Sequence, residues 1–170
     1  FPFLQKVIPQ TWLFDDRTLP PHAVIPGIEI NNLPVTDWRQ ISSGTQRERE
    51  LVLKPSGFSA LAWGSRGVAI GHDLSTEDWK SAVQNALSSF EQTPYVLQKF
   101  HKATRIQMSH YDFGSGDVRS MAGRALIRPY YFTSDDKVQL GGIQATVCPA
   151  DKKILHGMVD SIIAPAALKI

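Results

Sequence analysis

Cysteine is almost absent from this sequence of 170 residues, which contains only Cys148. No disulfide can form within the chain, and scarce cysteine is typical of the reducing cytoplasm, so we expect a cytoplasmic protein. No apolar run approaches the roughly 18 residues that a membrane-spanning helix requires. The chain begins at Phe1, with no initiator Met and no signal-peptide pattern. These features predict no membrane partner and indicate a processed chain or a fragment.

Strong charge of either sign is also missing. The formal net charge is only +2, and no run of Lys or Arg is longer than Lys152-Lys153. Because nucleic-acid binders carry clustered positive charge, a nucleic acid is not expected as a partner. The five histidines have no metal-ligand spacing. The sequence leaves the metal ligands and the oligomeric state open.

The chain divides into three segments by its pattern. Residues 1–50 are rich in proline, which fixes φ and removes a backbone donor. This lead-in is predicted to be irregular, with a strand at 23–30 and a helical turn at 37–41. Residues 51–105 are predicted to form a nucleotide-gripping subdomain, and residues 106–170 a second α+β subdomain.

The pattern is clearest over residues 51–100. Strands are predicted at 51–54, 68–70 and 95–100, and a glycine-rich loop at 55–67. A helix over 75–90 is predicted from the N-cap Ser75, the acidic residues after it and the apolar side chains at helical spacing. These apolar side chains are Trp79, Ala82, Val83, Ala86, Leu87 and Phe90.

The residue pattern in the last third of the chain predicts mainly strands. The polar stretch 109–117 indicates a turn or a flexible loop. Strands at 124–132 and 138–148 are joined by a predicted hairpin turn at 134–137. Pro129 within the first of these strands predicts an edge position or a bulge, because proline cannot donate to a ladder. A short helix is predicted at 154–164.

One set of residues has the properties that a triphosphate site needs. Phosphates require fixed positive charge, and a glycine loop lets backbone amides approach their oxygens. Lys54 ends an apolar strand, and Gly64 and Gly67 bracket Ser65 and Arg66 in the following loop. Taken singly, the lysine fits an exposed strand end and the loop an ordinary hairpin connection. The ordered set of strand, lysine, glycine loop, strand, helix and strand favours a phosphate site.

The same order resembles the ATP-grasp superfamily. The resemblance is carried by Leu51-Val52-Leu53-Lys54-Pro55, by Gly64-Ser65-Arg66-Gly67-Val68 and by Pro94-Tyr95-Val96-Leu97-Gln98-Lys99-Phe100. The stretch 124–132 is similar to the outgoing strand of circularly permuted ATP-grasp proteins related to glutathionylspermidine synthase. The resemblance implies an α+β, ATP-grasp-like fold, incomplete in this chain. Such a fold has a mostly antiparallel sheet with helices packed on one side.

The resemblance also implies roles for individual residues. Lys54 would contact the phosphates, and Gly64, Ser65, Arg66 and Gly67 would form a lid loop over them. Gln98, Lys99 and Phe100 would line the adenine slot at a hinge. Arg124 or Arg128 would act in catalysis, facing the γ-phosphate or an acyl-phosphate intermediate. The implied cofactors are ATP and Mg²⁺, and no residues are assigned as ligands of the metal.

The implied function is that of an ATP-dependent ligase fragment. Such an enzyme activates a small-molecule carboxylate as an acyl phosphate, which an amine or thiol substrate then attacks. Two other interpretations remain open. The chain could be a non-catalytic nucleotide-binding or protein-interaction module, or an unrelated α+β domain that binds a small anion through Arg66 and Arg124.

Overall fold

The structure is a computed structural model that describes residues 2–167, apart from the side chain of Leu4. The chain divides into two compact units, with the boundary in the sequence between His101 and Lys102. Both units together contain few helices, and the strand pairs of the described residues are antiparallel. The predicted α+β class is therefore confirmed. No helix within residues 2–167 is long and apolar enough to cross a membrane.

Unit 1, which ends at His101, is built on a four-stranded sheet. Its helices and strands are α1 (Pro2–Val7), β1 (Thr11–Phe14), β2 (Glu29–Ile30), β3 (Leu33–Pro34), β4 (Leu51–Pro55), β5 (Ala69–Ile70), α2 (Thr76–Ser88) and β6 (Tyr95–Lys99). Short 3₁₀ helices span Trp38–Ser43, Ala60–Ser65 and Gly71–Asp73. The sheet order is β1-β6-β4-β5, and β2 pairs only with β3.

Helix α2 packs on one face of this sheet. The helix begins where predicted, because the Ser75 hydroxyl accepts a hydrogen bond from the Asp78 amide across 3.1 Å. Its buried side chains join those of alternate strand residues in one core. The main members of this core are Phe14, Leu51, Leu53, Trp79, Val83, Ala86, Leu87 and Leu97. Since side chains alternate across a strand, the residues between them point to the opposite face.

Unit 2 is a second antiparallel sheet. Its strands are β7 (Arg105–Asp112), β8 (Asp117–Ser134), β9 (Lys137–Pro149) and β10 (Ile162–Ala166), in the order β10-β9-β8-β7. The predicted hairpin turn between β8 and β9 is confirmed. Pro129 pairs with Ile143 of β9, whereas the β7 pairing ends at Arg124, so Pro129 lies on a locally free edge. A bulge follows between Tyr130 and Tyr131, as the proline predicts.

Three predictions about local structure are wrong. Residues 154–161 form no helix, and Ile162–Ala166 is a strand that pairs with β9. The polar stretch 109–117 is mostly strand, with only residues 113–116 in a turn, because the polar side chains lie on an exposed sheet. The strand predicted at 23–30 is reduced to Glu29–Ile30, and the proline-rich lead-in instead contributes Thr11–Phe14 to the main sheet.

Candidate functional site

Lys54 lies on the face of the unit 1 sheet that helix α2 does not cover. Its neighbours Leu53 and Pro55 are both buried, and Leu53 belongs to the core beneath α2. Because side chains alternate along a strand, Lys54 points to the other face. Its side chain is half-buried. Burial lowers the pKa of the Lys54 ammonium below the ordinary value for lysine, because removal from water disfavours the charged form.

The partner of Lys54 is a neutral side chain. Its Nζ donates to Oε1 of Gln98 across 2.6 Å. Gln98 lies directly opposite Val52 in the β4–β6 pairing, so it is the diagonal neighbour of Lys54, within reach of long side chains. No carboxylate of residues 2–167 forms an ion pair with Lys54. The structure therefore brings together two of the predicted site residues and leaves the positive charge uncompensated.

The glycine loop returns to β4 at Pro55, whose side chain points to the face opposite that of Lys54. A Cβ atom on Gly67 would lie 2.8 Å from the Cγ atom of Pro55, so only glycine fits this close approach to β4. The amides of Arg66 and Gly67 both donate to the carbonyl of Leu61, the second across 2.9 Å. These two amides of the predicted lid are therefore committed to the loop itself.

Arg66 closes the same loop with its side chain. Its Nε donates to the carbonyl of Trp63 across 3.1 Å, and its Nη2 donates to that of Ala60 across 3.2 Å. Gly64 and Ser65 both adopt positive φ, at 62° and 59°, and turn the chain between Trp63 and Arg66. The Arg66 side chain is exposed, and its hydrogen-bond acceptors among residues 2–167 are these two backbone carbonyls.

The predicted adenine slot lies at the end of unit 1. The amide of Lys99 donates to the carbonyl of Gln10 across 2.9 Å, and the amide of Phe100 donates to that of Glu50 across 3.0 Å. The Phe100 ring packs edge-on against His72, with 4.9 Å between the ring centroids. Both amides are thus used by the fold. The slot residues end one position before the last residue of unit 1, His101.

The two arginines predicted for catalysis have different environments in unit 2. Arg124 is 4% exposed, and its guanidinium donates to the carbonyls of Ala103 and Ala150. Arg128 is half-buried, and its Nη1 donates to Oγ1 of Thr146 across 2.7 Å. The acceptors of Arg124 are backbone atoms, which is typical of a structural role. Arg128 contacts only neutral side chains, since Gln144 is its other acceptor, at 3.3 Å.

The residues at Lys54 do not fit Mg²⁺. Magnesium takes oxygen ligands, usually carboxylates together with substrate phosphates. In the part of the chain that the structure describes, Lys54 bonds to Gln98, and Gln98 bonds in turn to Thr11, so these bonded neighbours include no carboxylate. Within residues 2–167, no cluster of three or more His, Cys, Asp or Glu side chains could hold a metal ion.

Two cavities of unit 1 lie away from Lys54. One, of about 380 Å³, lies against α2 and is lined by residues that include Arg39, Lys80 and Gln84. The other, of about 450 Å³, lies beside β1 and is lined by residues that include Trp12, Leu19 and Trp38. Lys54 lines neither of these hollows.

Thr11 is a site residue that the sequence analysis does not identify. Its Oγ1 accepts a hydrogen bond from Nε2 of Gln98 across 2.8 Å. The proline-rich composition of residues 1–50 hides the strand on which it lies. The signal that reveals this strand is the short run Thr11-Trp12-Leu13-Phe14, which is rich in β-forming residues between Pro9 and Asp15.

The comparisons with known proteins add no identification. Neither the family models nor the curated proteins nor the solved structures give a match to this chain.

Proposed function

We propose that unit 1 binds the phosphate groups of ATP on the sheet face that carries Lys54, and that the chain is the nucleotide-gripping part of an ATP-dependent ligase. The observation that supports this best is the half-buried ammonium of Lys54, which has a neutral hydrogen-bond partner and no carboxylate. A partly desolvated, uncompensated cation attracts an anion more strongly than an exposed one does. The phosphate groups of a nucleotide supply that anion.

The surroundings of Lys54 support the same proposal. Strand β4 is paired on both sides, because Val52 and Leu53 pair with β5 and the whole strand, including Lys54, pairs with β6. Arg66 adds a second, exposed positive charge on the adjoining glycine loop. A strand lysine and a loop arginine provide the charge neutralisation and positioning on which phosphoryl transfer mainly depends.

The resemblance to the ATP-grasp superfamily assigns Arg128 a role in the acyl part of the reaction. Arg128, like Lys54, is a half-buried cation with only neutral acceptors. In the proposed reaction the γ-phosphoryl group moves from ATP to a carboxylate oxygen, which yields ADP and an acyl phosphate. An amine or thiol then attacks the acyl carbon, and phosphate leaves.

Calorimetric titration of the full chain with Mg-ATP tests the binding step. We expect Lys54→Met to weaken binding at least about tenfold, as the loss of a charged hydrogen bond of 1.5–3 kcal/mol implies. Lys80→Met is the matched control, because Lys80 is an exposed lysine on α2, which packs on the opposite face of the sheet. Equal affinity of the wild type and Lys54→Met would overturn the proposal.

Hydroxylamine trapping tests the ligase step. With Mg-ATP, a panel of small carboxylic acids and hydroxylamine, an acyl phosphate is converted to a hydroxamate and free phosphate. We expect ATP-dependent hydroxamate formation with at least one acid, and a loss of this product in Arg128→Met. If the chain binds nucleotide but forms no hydroxamate with any acid, the ligase proposal is contradicted and a non-catalytic binding module is supported.

One observation favours that second candidate, a non-catalytic anion-binding module. The amides of Lys99 and Phe100 donate to the carbonyls of Gln10 and Glu50, the residues just before β1 and β4, and cannot also donate to a base. A module that recognises only phosphate groups would bind tripolyphosphate as tightly as ATP. A ligase that uses the nucleotide as its substrate would prefer ATP, so the ratio of the two affinities separates these candidates.

A further inference from the structure

A chain of three hydrogen bonds ends at the Lys54 ammonium. Thr11 Oγ1 donates to the carbonyl of Pro9 across 2.8 Å, and the same oxygen accepts from Gln98 Nε2 across 2.8 Å. Gln98 Oε1 in turn accepts from Lys54 Nζ across 2.6 Å. The chain therefore crosses three strands of the sheet, from the start of β1 through β6 to β4.

The direction of each bond in this chain is fixed by chemistry. A threonine hydroxyl has one proton, and the Pro9 carbonyl can only accept it. The hydroxyl oxygen is then left to accept, so the donor that faces it must be the amide nitrogen of Gln98. The carboxamide oxygen consequently faces Lys54, whose ammonium has donors only. The reverse orientation of the amide would place two donors against each other at the lysine.

We propose that Thr11 and Gln98 are positioning residues, which hold the Lys54 ammonium in one place on the sheet while leaving its charge free for an anion. This inference rests on the proposed function of Lys54 as a phosphate ligand. The ammonium uses one of its three donors on Gln98, so two donors remain for phosphate oxygens. A fixed donor also loses less rotamer freedom when the anion binds.

The neutral amide of Gln98 is central to this arrangement. A carboxylate at the same position would form an ion pair with Lys54 and compete with the incoming anion. Gln98→Glu keeps the size of the side chain and adds that carboxylate. It therefore tests whether the neutrality of the partner matters, whereas Thr11→Val tests whether the orientation of the amide matters.

The test combines calorimetric titration with Mg-ATP and NMR of the full chain labelled with ¹³C-lysine. The Cε resonance of Lys54, assigned by its loss in Lys54→Met, reports the pKa of this amine as pH is raised. We expect Thr11→Val to lower the pKa of Lys54 and to weaken Mg-ATP binding about threefold to tenfold, the effect of losing one neutral hydrogen bond. Thr11→Ser restores the hydroxyl and is expected to restore both values.

Gln98→Glu is expected to raise the pKa of Lys54 and to weaken Mg-ATP binding at the same time. Gln98→Met removes the amide that lies between Thr11 and Lys54. It serves in place of Thr11→Val if that variant fails to fold. A wild-type pKa in folded Thr11→Val and Gln98→Met would overturn the positioning role. A wild type that does not bind Mg-ATP would overturn only the proposed function, since the pKa of Lys54 still decides whether Thr11 and Gln98 act on it.

Discussion

Trp79 donates its indole N–H to the backbone carbonyl of Ile41 across 3.0 Å. Both residues are 0% exposed, and the bond joins α2 to the 3₁₀ helix Trp38–Ser43. That 3₁₀ helix begins with a capping box between Asp37 and Gln40, in which Gln40 Oε1 accepts from the Asp37 amide across 3.2 Å. The bond therefore fixes the helix layer that covers one face of the unit 1 sheet, and so supports the strands that carry Lys54 and Gln98.

We expect Trp79→Phe to destabilise the protein by about 2 kcal/mol, because the buried carbonyl of Ile41 loses its donor. The smaller ring also leaves a cavity, which adds to the loss. Urea denaturation followed by circular dichroism measures the free energy of unfolding. Trp63→Phe is the matched control, since Trp63 is 73% exposed, and an equal loss in both variants would contradict the role of the buried bond.

Arg124 allows a test of whether a predicted catalytic residue is structural. Its buried guanidinium donates to the carbonyls of Ala103 and Ala150, so Arg124→Met is expected to destabilise unit 2 by about 1–3 kcal/mol. Hydrogen exchange of the β8 and β9 amides measures this. Arg105→Met is the control, because Arg105 is exposed and lies directly opposite Arg124 in the pairing of β7 with β8. Unchanged protection in Arg124→Met would leave a catalytic role as the better explanation.

The conformation of the glycine loop makes a separate prediction. Gly64 has a φ of 62°, and an added Cβ there would meet no atom within 4 Å. Gly64→Ala is therefore expected to lower the free energy of unfolding by about 1 kcal/mol through backbone strain alone. Gly57→Ala, equally open but without positive φ, is expected to be neutral or slightly stabilising. Urea denaturation measures both free energies of unfolding. A larger decrease in Gly57→Ala than in Gly64→Ala would contradict the prediction.

Glu48 gives a prediction at acid pH. Hydrogen bonds from Thr45, and a further one from the Asn31 amide, lower the pKa of the Glu48 carboxyl. A lowered folded-state pKa contributes stability above the ordinary glutamate pKa, and this is lost as pH falls through the folded value. We expect Glu48→Gln to lower stability at pH 7 and to lose less stability than the wild type between pH 6 and about pH 3. Glu91→Gln, at an exposed turn position, should follow the wild-type curve.

The sequence predicts the elements around α2 because their signals are local. Apolar periodicity and the Ser75 cap define the helix, and short β-branched or apolar runs define β4, β5 and β6. The same reasoning fails at residues 154–161, where apolar residues without caps form no helix. It also fails at β1, because the nearby prolines conceal a short strand that is stabilised only by pairing with β6.

The candidate site is predictable only in part for the same reason. The residue types at 54 and 98 are visible in the sequence, and the structure places them in contact. The contribution of Thr11 depends on a pairing between residues 87 positions apart, which no local pattern encodes. Arg66, Lys99 and Phe100 donate hydrogen bonds to backbone carbonyls. Which carbonyls they meet likewise depends on the folded arrangement of the loop and of the strand ends.

The half-buried ammonium of Lys54 predicts opposite effects of alkaline pH on stability and on Mg-ATP binding. Because burial lowers the folded-state pKa of Lys54, the unfolded chain binds more protons between the folded and unfolded pKa values, and stability from this group rises with pH in that window. Over the same window the site loses its charge, so Mg-ATP affinity is expected to fall. Lys54→Arg keeps its charge at these pH values, and its affinity should stay nearly constant from pH 7 to about 10. A parallel decline in both proteins, measured by calorimetric titration, would show that Lys54 is not the group that attracts the phosphates.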